Sequence, residues 1–262
     1  MIKAVFFDVD GTLLSHTLKD VPKSTRTALM KLRQKNIKCV VATGRHLSEL
    51  EILPVKDIDF DGYITLNGQL CLDENQRILS GKPITGSDKE TIIRLFKEKK
   101  IPVLIVEKDA LYINFVNQHV EKAQIAISTD IPQIGTYTGN EIYQTVAYLE
   151  RGKEAYLAEQ LPNCKITRWN EYAVDIISSC GGKAEGIIEY LNKNGIAQCE
   201  TMAFGDGEND IDMLSFAQIG IAMGNADECL KVKADWISSD VEQDGLRNAI
   251  KHAEEVYSAK MV

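Results

Sequence analysis

Two aspartates separated by one residue, Asp8 and Asp10, follow the apolar run Val5-Phe6-Phe7 and precede Gly11-Thr12. Carboxylates this close repel each other, and a cation such as Mg²⁺, which takes oxygen ligands, is the usual remedy. One carboxylate can attack phosphorus as a covalent nucleophile, and a second can move protons to a leaving oxygen and from water. Gly11 permits a sharp turn, and turns of this kind can aim backbone N–H groups at an anion. The segment therefore offers a carboxylate, a metal site and room for a phosphate. By itself it reads equally as a polar turn after a strand, since Asp and Gly are common turn residues.

Further polar clusters close other apolar runs: Thr43-Gly44-Arg45, Asn67-Gly68, and Asp206-Gly207-Glu208-Asn209-Asp210, with Lys183 opening a later helix. Metal-assisted phosphoryl transfer to a carboxylate calls for such a spread. It needs a nucleophile, an acid/base, an oxygen ligand from a distant strand, and a hydroxyl and a lysine for the phosphoryl oxygens. Uncatalysed phosphate-monoester hydrolysis is so slow that accelerations up to ~10²¹ are required, which accounts for the density of charge. Plainer readings stand beside these. Thr43 suits a helix N-cap, and Asp206 and Asp210 suit turn and capping positions. Lys183 would be an odd solvated lysine, because the helix N-terminus disfavours a cation. Arg45 and Asn67 fit either substrate anchoring or pairing within the protein. Asp212 reads as a surface helix acid, His46 and His119 as surface or packing residues, and Trp169 and Tyr172 as packing.

The elements that must position these groups follow from periodicity. Apolar runs near residues 2–7, 37–42 and 63–66 read as strands, separated by helices starting near Pro22 and spanning 46–53. This is βαβαβ, the opening of a doubly wound parallel sheet, in which ligands bind at the carboxyl ends of the strands. From about residue 69 the texture turns to hairpins and short helices, including a strand over 143–149 that alternates as if half-buried. Residues 82–180 read as an inserted α+β domain. After Gly181-Gly182, a plausible hinge, the α/β pattern resumes, and a helix from about residue 242 ends the chain. The expected fold is thus α/β, with a Rossmann-like core of residues 1–81 and 181–262.

The 262 residues can bury a substantial core, with 44% hydrophobic and 26% charged residues, ordinary for a globular protein. A net charge of −8 argues against nucleic acid or anionic membrane as a partner. No apolar run approaches the ~18 residues of a membrane span. The first residues read as a strand and not as a signal peptide, so a cytoplasmic location is expected. Six dispersed cysteines, without a C-x-x-C pair, read as small buried hydrophobes in a reducing compartment.

Taken together, the motifs resemble the haloacid-dehalogenase superfamily of phosphatases. Asp8-Val9-Asp10-Gly11-Thr12 is similar to its first motif, and Thr43-Gly44-Arg45 to the second motif of the Cof-type subfamily. Lys183 stands at the third and Gly205-Asp206-Gly207-Glu208-Asn209-Asp210 at the fourth. The insertion between the second and third motifs resembles a type-two (C2B-like) cap, which in such enzymes closes over the site and chooses the substrate. The resemblance implies Asp8 as nucleophile and Asp10 as general acid/base. It implies Mg²⁺ held by Asp8, the Asp10 carbonyl and Asp206, with Asp210 supporting the metal waters or Lys183. The phosphoryl group would be bound by Thr43, Gly44, Lys183, Asn209 and the Val9 N–H, with Arg45 and Asn67 as candidate substrate contacts. One departure is Ala184 after Lys183, where relatives more often carry glycine. The expected activity is hydrolysis of a small phosphorylated metabolite, a sugar phosphate first, through an aspartyl-phosphate. A phosphomutase, or a non-catalytic phospho-acceptor module, is the alternative, and the oligomeric state is left open.

Overall fold

A computed structural model describes residues 1–127 and 129–256. The chain divides into two compact units, one formed by Met1–Ser80 together with the chain from Gly182 onward, the other by Gly81–Gly181.

The first unit is built on β1 (Ala4–Phe7), buried at all four positions. A strand buried on both faces belongs in a parallel sheet covered by helices on each side. Its side chains alternate between two cores. Val5 and Phe7 pack with Leu29, Leu32, Leu246 and Ile250, whereas Ala4 and Phe6 pack with Ile187, Tyr190, Met213 and Leu214. After β1 come α1 (Lys23–Gln34), β2 (Lys38–Ala42), α2 (Leu47–Leu50), β3 (Gly62–Thr65), β4 (Leu70–Asp73) and β5 (Ile78–Gly81).

The second unit contains α3 (Gly86–Glu98), β6 (Val103–Val106), β7 (Leu111–Ile113), α4 (Gln118–Ala126), β8 (Gln144–Tyr148), α5 (Glu154–Gln160), β9 (Cys164–Asn170) and β10 (Ala173–Ser178). Its strands form a sheet in the order β7-β6-β8-β10-β9, antiparallel at every pairing. The first unit then resumes with α6 (Lys183–Asn194), β11 (Thr201–Gly205), α7 (Ile211–Phe216), β12 (Ile219–Ala222), α8 (Glu228–Lys231), β13 (Trp236–Ile237) and α9 (Gly245–Val256).

The large sheet runs β13-β12-β11-β1-β2-β3-β4-β5, parallel from β13 to β3. Phe7 is opposite Val41 on one side and Phe204 on the other. The chain thus winds outward from β1 in both directions, and the carboxyl end of β1 is the switch point at which such sheets bind ligands.

Several local expectations are corrected. The helix foreseen over 46–53 is the single turn of α2, because Leu53 is extended ahead of Pro54 and a 3₁₀ turn follows. The strand β8 shows no alternation and is buried throughout, as the middle strand between β6 and β10. The last helix begins at Gly245, after Asp244 adopts a left-handed conformation, and its extension past residue 256 lies outside the described residues. Among the cysteines only Cys39 and Cys71 are buried, while Cys180, Cys199 and Cys229 are exposed and all six are free thiols.

Candidate active site

Each strand of the switch point delivers a polar group just past its carboxyl end. Asp8 follows β1 directly, with its N–H donating to the Phe204 carbonyl at 3.0 Å, so the parallel ladder fixes its position. Thr43 follows β2 and donates its N–H to Ile64 at 2.8 Å. Asp206 follows β11, and Asn67 lies one residue past Leu66 after β3. Lys183 is the first residue of α6 and is 1% exposed.

Lys183 ties the group together. Its Nζ lies 2.5 Å from Asp8 Oδ1 and 2.6 Å from Asp210 Oδ1. The other Asp210 oxygen accepts the N–H groups of Asp206 and Gly207, both at 2.9 Å. Asp210 thus makes the Lys183 contact, one of the two supporting roles expected of it. Two carboxylates keep Lys183 protonated, outweighing the burial that would otherwise strip its charge. Burial pushes Asp8 up to about 7, and the neighbouring Asp210 and Asp10 charges add to this against the pull of Lys183. Asp206 is raised well above its ordinary value by burial and by the Asp8 and Asp210 charges.

Asp8, Asp206 and Asp210 can each offer one oxygen such that the three lie within 4.8 Å of one another. Three hard oxygen donors crowded together, two of them (Asp8 and Asp206) raised by burial and by neighbouring carboxylates, suit a divalent cation. Because both Asp210 oxygens are already engaged by protein donors, Asp8 and Asp206 are the better direct ligands. Thr12 Oγ1 donates to Asp206 Oδ1 at 3.2 Å and orients it.

The Asp10 side chain stands outside that cluster, gripped by Arg45 through Nε to Oδ2 at 2.5 Å and Nη2 to Oδ1 at 2.8 Å. Arg45 is therefore paired within the protein, the second of its two expected readings. Its nearby Nη1 reaches Glu49 at 3.4 Å, and Glu49 also accepts the His46 N–H at 2.8 Å. His46 is buried and caps α2, accepting the Ser48 N–H, the packing member of its two expected readings. The Thr43 hydroxyl accepts the Arg45 N–H at 3.2 Å, and Asn209 Nδ2 donates to Asn67 Oδ1 at 3.0 Å.

Asp212 is a clear correction. It is no surface acid: its Oδ2 accepts the Ala184 N–H at 3.3 Å, capping α6 beside Lys183, and burial raises its pKa. Asn225 was not singled out in the sequence, yet its Nδ2 donates to the Gly11 carbonyl at 2.8 Å and its Oδ1 accepts the Val241 N–H at 2.9 Å. It closes β12 in Gly224-Asn225, the same signal that marked the other strand ends. His119 and Tyr172 stack with ring centroids 5.3 Å apart, a packing role.

With this geometry established, comparison with known proteins gives the class. Residues 5–250 match the family model for haloacid dehalogenase-like hydrolases, and the chain belongs to that family. It is similar to YkrA of Bacillus subtilis (strain 168), 32% identical over 254 residues covering 95% of this chain and 96% of YkrA. Among solved structures it is similar to BT1666, a phosphatase of the superfamily from Bacteroides thetaiotaomicron, with TM-score 0.88 and 32% identity over 96% of this chain and 95% of that one. It is also similar to the subclass IIB sugar phosphatase BT4131, with TM-score 0.86 and 32% identity over 95% of this chain and 98% of that one. The chain is accordingly a phosphoric monoester hydrolase, a phosphatase of the Cof-type branch.

Proposed function

We propose that the protein is a Mg²⁺-dependent phosphatase that hydrolyses a small sugar phosphate through an aspartyl-phosphate on Asp8. The observation that carries this reading is the convergence of Asp8, Asp206, Asp210 and Lys183 at the carboxyl end of the central strand. The Asp8 oxygen not held by Lys183 attacks phosphorus, and the bond from phosphorus to the leaving oxygen breaks as Asp10 gives that oxygen its proton. Asp10 then takes a proton from water; the water oxygen bonds to phosphorus, the Asp8–phosphorus bond breaks, and inorganic phosphate leaves. Lys183, Asn209, the Thr43 hydroxyl and the N–H groups of Val9 and Gly44 hold the other phosphoryl oxygens. Asp8, Asp206 and the Asp10 carbonyl would hold Mg²⁺, which supplies positive charge against the phosphoryl oxygens.

The unit of residues 81–181 is the proposed cap and the proposed source of substrate choice. Likeness to a subclass IIB sugar phosphatase supports sugar phosphates as the first class to try. Free, partly exposed cysteines suit a reducing cytoplasm, and among the described residues no helix is long and apolar enough to cross a membrane.

The test is phosphate release from a panel of phosphorylated metabolites, with Mg²⁺ or with chelator, for wild type and Asp8→Asn. Hydrolysis should need both the metal and Asp8, and a rapid quench should trap phosphate on Asp8. Activity surviving in Asp8→Asn would refute the nucleophile, and indifference to chelation would refute the metal.

A further inference from the structure

The turn after β3 has an unusual backbone. Leu66, Asn67 and Gly68 are consecutive left-handed residues, with φ of 53°, 53° and 83°. A leucine has no local reason to adopt this conformation, and Leu66 is fully buried. Such a backbone persists only where its surroundings over-determine it, and the places where it does are commonly functional.

The surroundings here are the phosphate-binding loops themselves. Leu66 donates its N–H to the Arg45 carbonyl at 3.2 Å, and Asn67 donates to the Thr43 carbonyl at 2.9 Å. A Cβ on Gly68 would fall 1.9 Å from the Gly182 carbonyl, so the turn also abuts the residue before Lys183. A Cβ on Gly44 would meet the Asn67 amide at 3.1 Å (Nδ2) and 3.2 Å (Oδ1). The Asn67 side chain therefore lies across the face of Gly44 while its Oδ1 accepts from Asn209 at 3.0 Å. Three residues thus touch the loops after β2 and β11 and the start of α6.

We infer that this turn positions the phosphate-binding groups, and that Asn67 acts by orienting Asn209 and the Gly44 segment without touching substrate. The inference rests on the phosphatase reading above. Asparagine suits the task, because it tolerates the left-handed conformation and its amide can accept and donate at once. With its oxygen committed to Asn209 and only 5% of the residue exposed, Asn67 is placed as a support.

The experiment is a double-mutant cycle on p-nitrophenyl phosphate with Mg²⁺, with melting curves and the dissociation constant of inorganic phosphate measured in parallel. Asn67→Gly permits the left-handed backbone and removes the side chain with its amide. It should raise KM and the phosphate dissociation constant about tenfold, with kcat changed much less. Asn209→Ala should do the same, and the double variant should be no worse than Asn209→Ala alone. Losses that multiply in the double variant would make Asn67 an independent substrate contact and overturn the inference. So would an Asn67→Gly protein that melts lower but binds phosphate as wild type does. If the wild type binds phosphate without hydrolysing the ester, the phosphatase reading fails, while the cycle on phosphate affinity still decides the positioning role. If it does neither, both fall.

Discussion

Arg45 grips both oxygens of Asp10, with Nε 2.5 Å from Oδ2 and Nη2 2.8 Å from Oδ1. A guanidinium presents its donors in a rigid fork, so this contact fixes the orientation of the carboxyl group as well as its distance. A lysine offers a single point charge and cannot do the same. Arg45→Lys should therefore lower kcat on an alkyl phosphate by about tenfold to a hundredfold, part of the value of a general acid. p-Nitrophenyl phosphate, whose leaving group needs no proton, should lose far less in the first step. Steady-state kinetics on the two esters decide the matter, and equal losses would separate Arg45 from the proton transfer.

Much of this arrangement was legible in the sequence for one reason. Buried parallel strands are continuous apolar runs, and each run here stops at a polar cluster, so the strand ends and their side chains announced themselves together. Thr43, Asp206 and Asn209 stand out this way, and Lys183 by opening a helix, where a cation is out of place. What stayed hidden depends on long-range pairing or on local backbone choice. Asp212 has the spacing of an exposed helix acid, and nothing nearby reveals that the Ala184 N–H lies 3.3 Å away. The left-handed Leu66 is a leucine like any other until Arg45, Thr43 and Gly182 hold the 66–68 turn at Leu66, Asn67 and Gly68 in that order. For His46 the sequence leaves surface and packing open, because a cap is recognised by its partner, Ser48, only when α2 is known to be one turn long. Polar letters in β8 suggested a wet face, whereas Thr145 satisfies its hydroxyl on the Leu104 carbonyl at 2.9 Å.

The crowded carboxylates predict a pH-dependent stability that metal should reverse. Burial first, then the Asp210 and Asp10 charges, raise Asp8 from 3.8 to about 7, and Asp206 is raised in the same direction. A carboxyl group raised in the folded state stabilises fully only below its unfolded value. That contribution is lost as pH rises through the folded one. Chelator-treated protein should therefore melt progressively lower as pH rises from about 4 toward 8. Mg²⁺ binds the deprotonated form, so its stabilisation should be larger at pH 8 than at pH 6. Melting curves with chelator and with Mg²⁺ test both statements. Asp8→Asn should flatten the dependence, and a metal-free melt that ignores pH would contradict the crowding.

Two glycines near opposite ends of α6 separate steric overlap from backbone strain. At Gly68 a Cβ would lie 1.9 Å from the Gly182 carbonyl, on a backbone with φ of +83°. Gly195, which caps the far end of α6 with φ of +64°, has nothing within 4 Å of an added Cβ. Gly195→Ala should cost only the left-handed conformation, about 1 kcal/mol. Gly68→Ala adds a clash with backbone to the same strain and should cost about 3 kcal/mol or more. Urea denaturation of both variants provides the comparison, and similar losses would mean that the 66–68 turn yields easily.

Lys183 has no solvent-exposed side-chain surface, and it bridges Asp8 at 2.5 Å and Asp210 at 2.6 Å. Replacing it with Met removes the cation and leaves two buried carboxylates uncompensated, a loss of about 3–5 kcal/mol. The damage should be worst at high pH, where Asp8 is ionised, and smaller where that carboxyl can take a proton. Asp210→Asn in the same background should recover part of the loss. An asparagine oxygen can still accept the Asp206 and Gly207 N–H groups, and one unpaired charge disappears. Catalysis should not return with stability, because the lysine would also be missing from the phosphoryl oxygens. Measuring stability and turnover across the single and double variants therefore separates the two roles of one ammonium group. If Lys183→Met kept its stability at high pH, the lysine would not be what holds these carboxylates together.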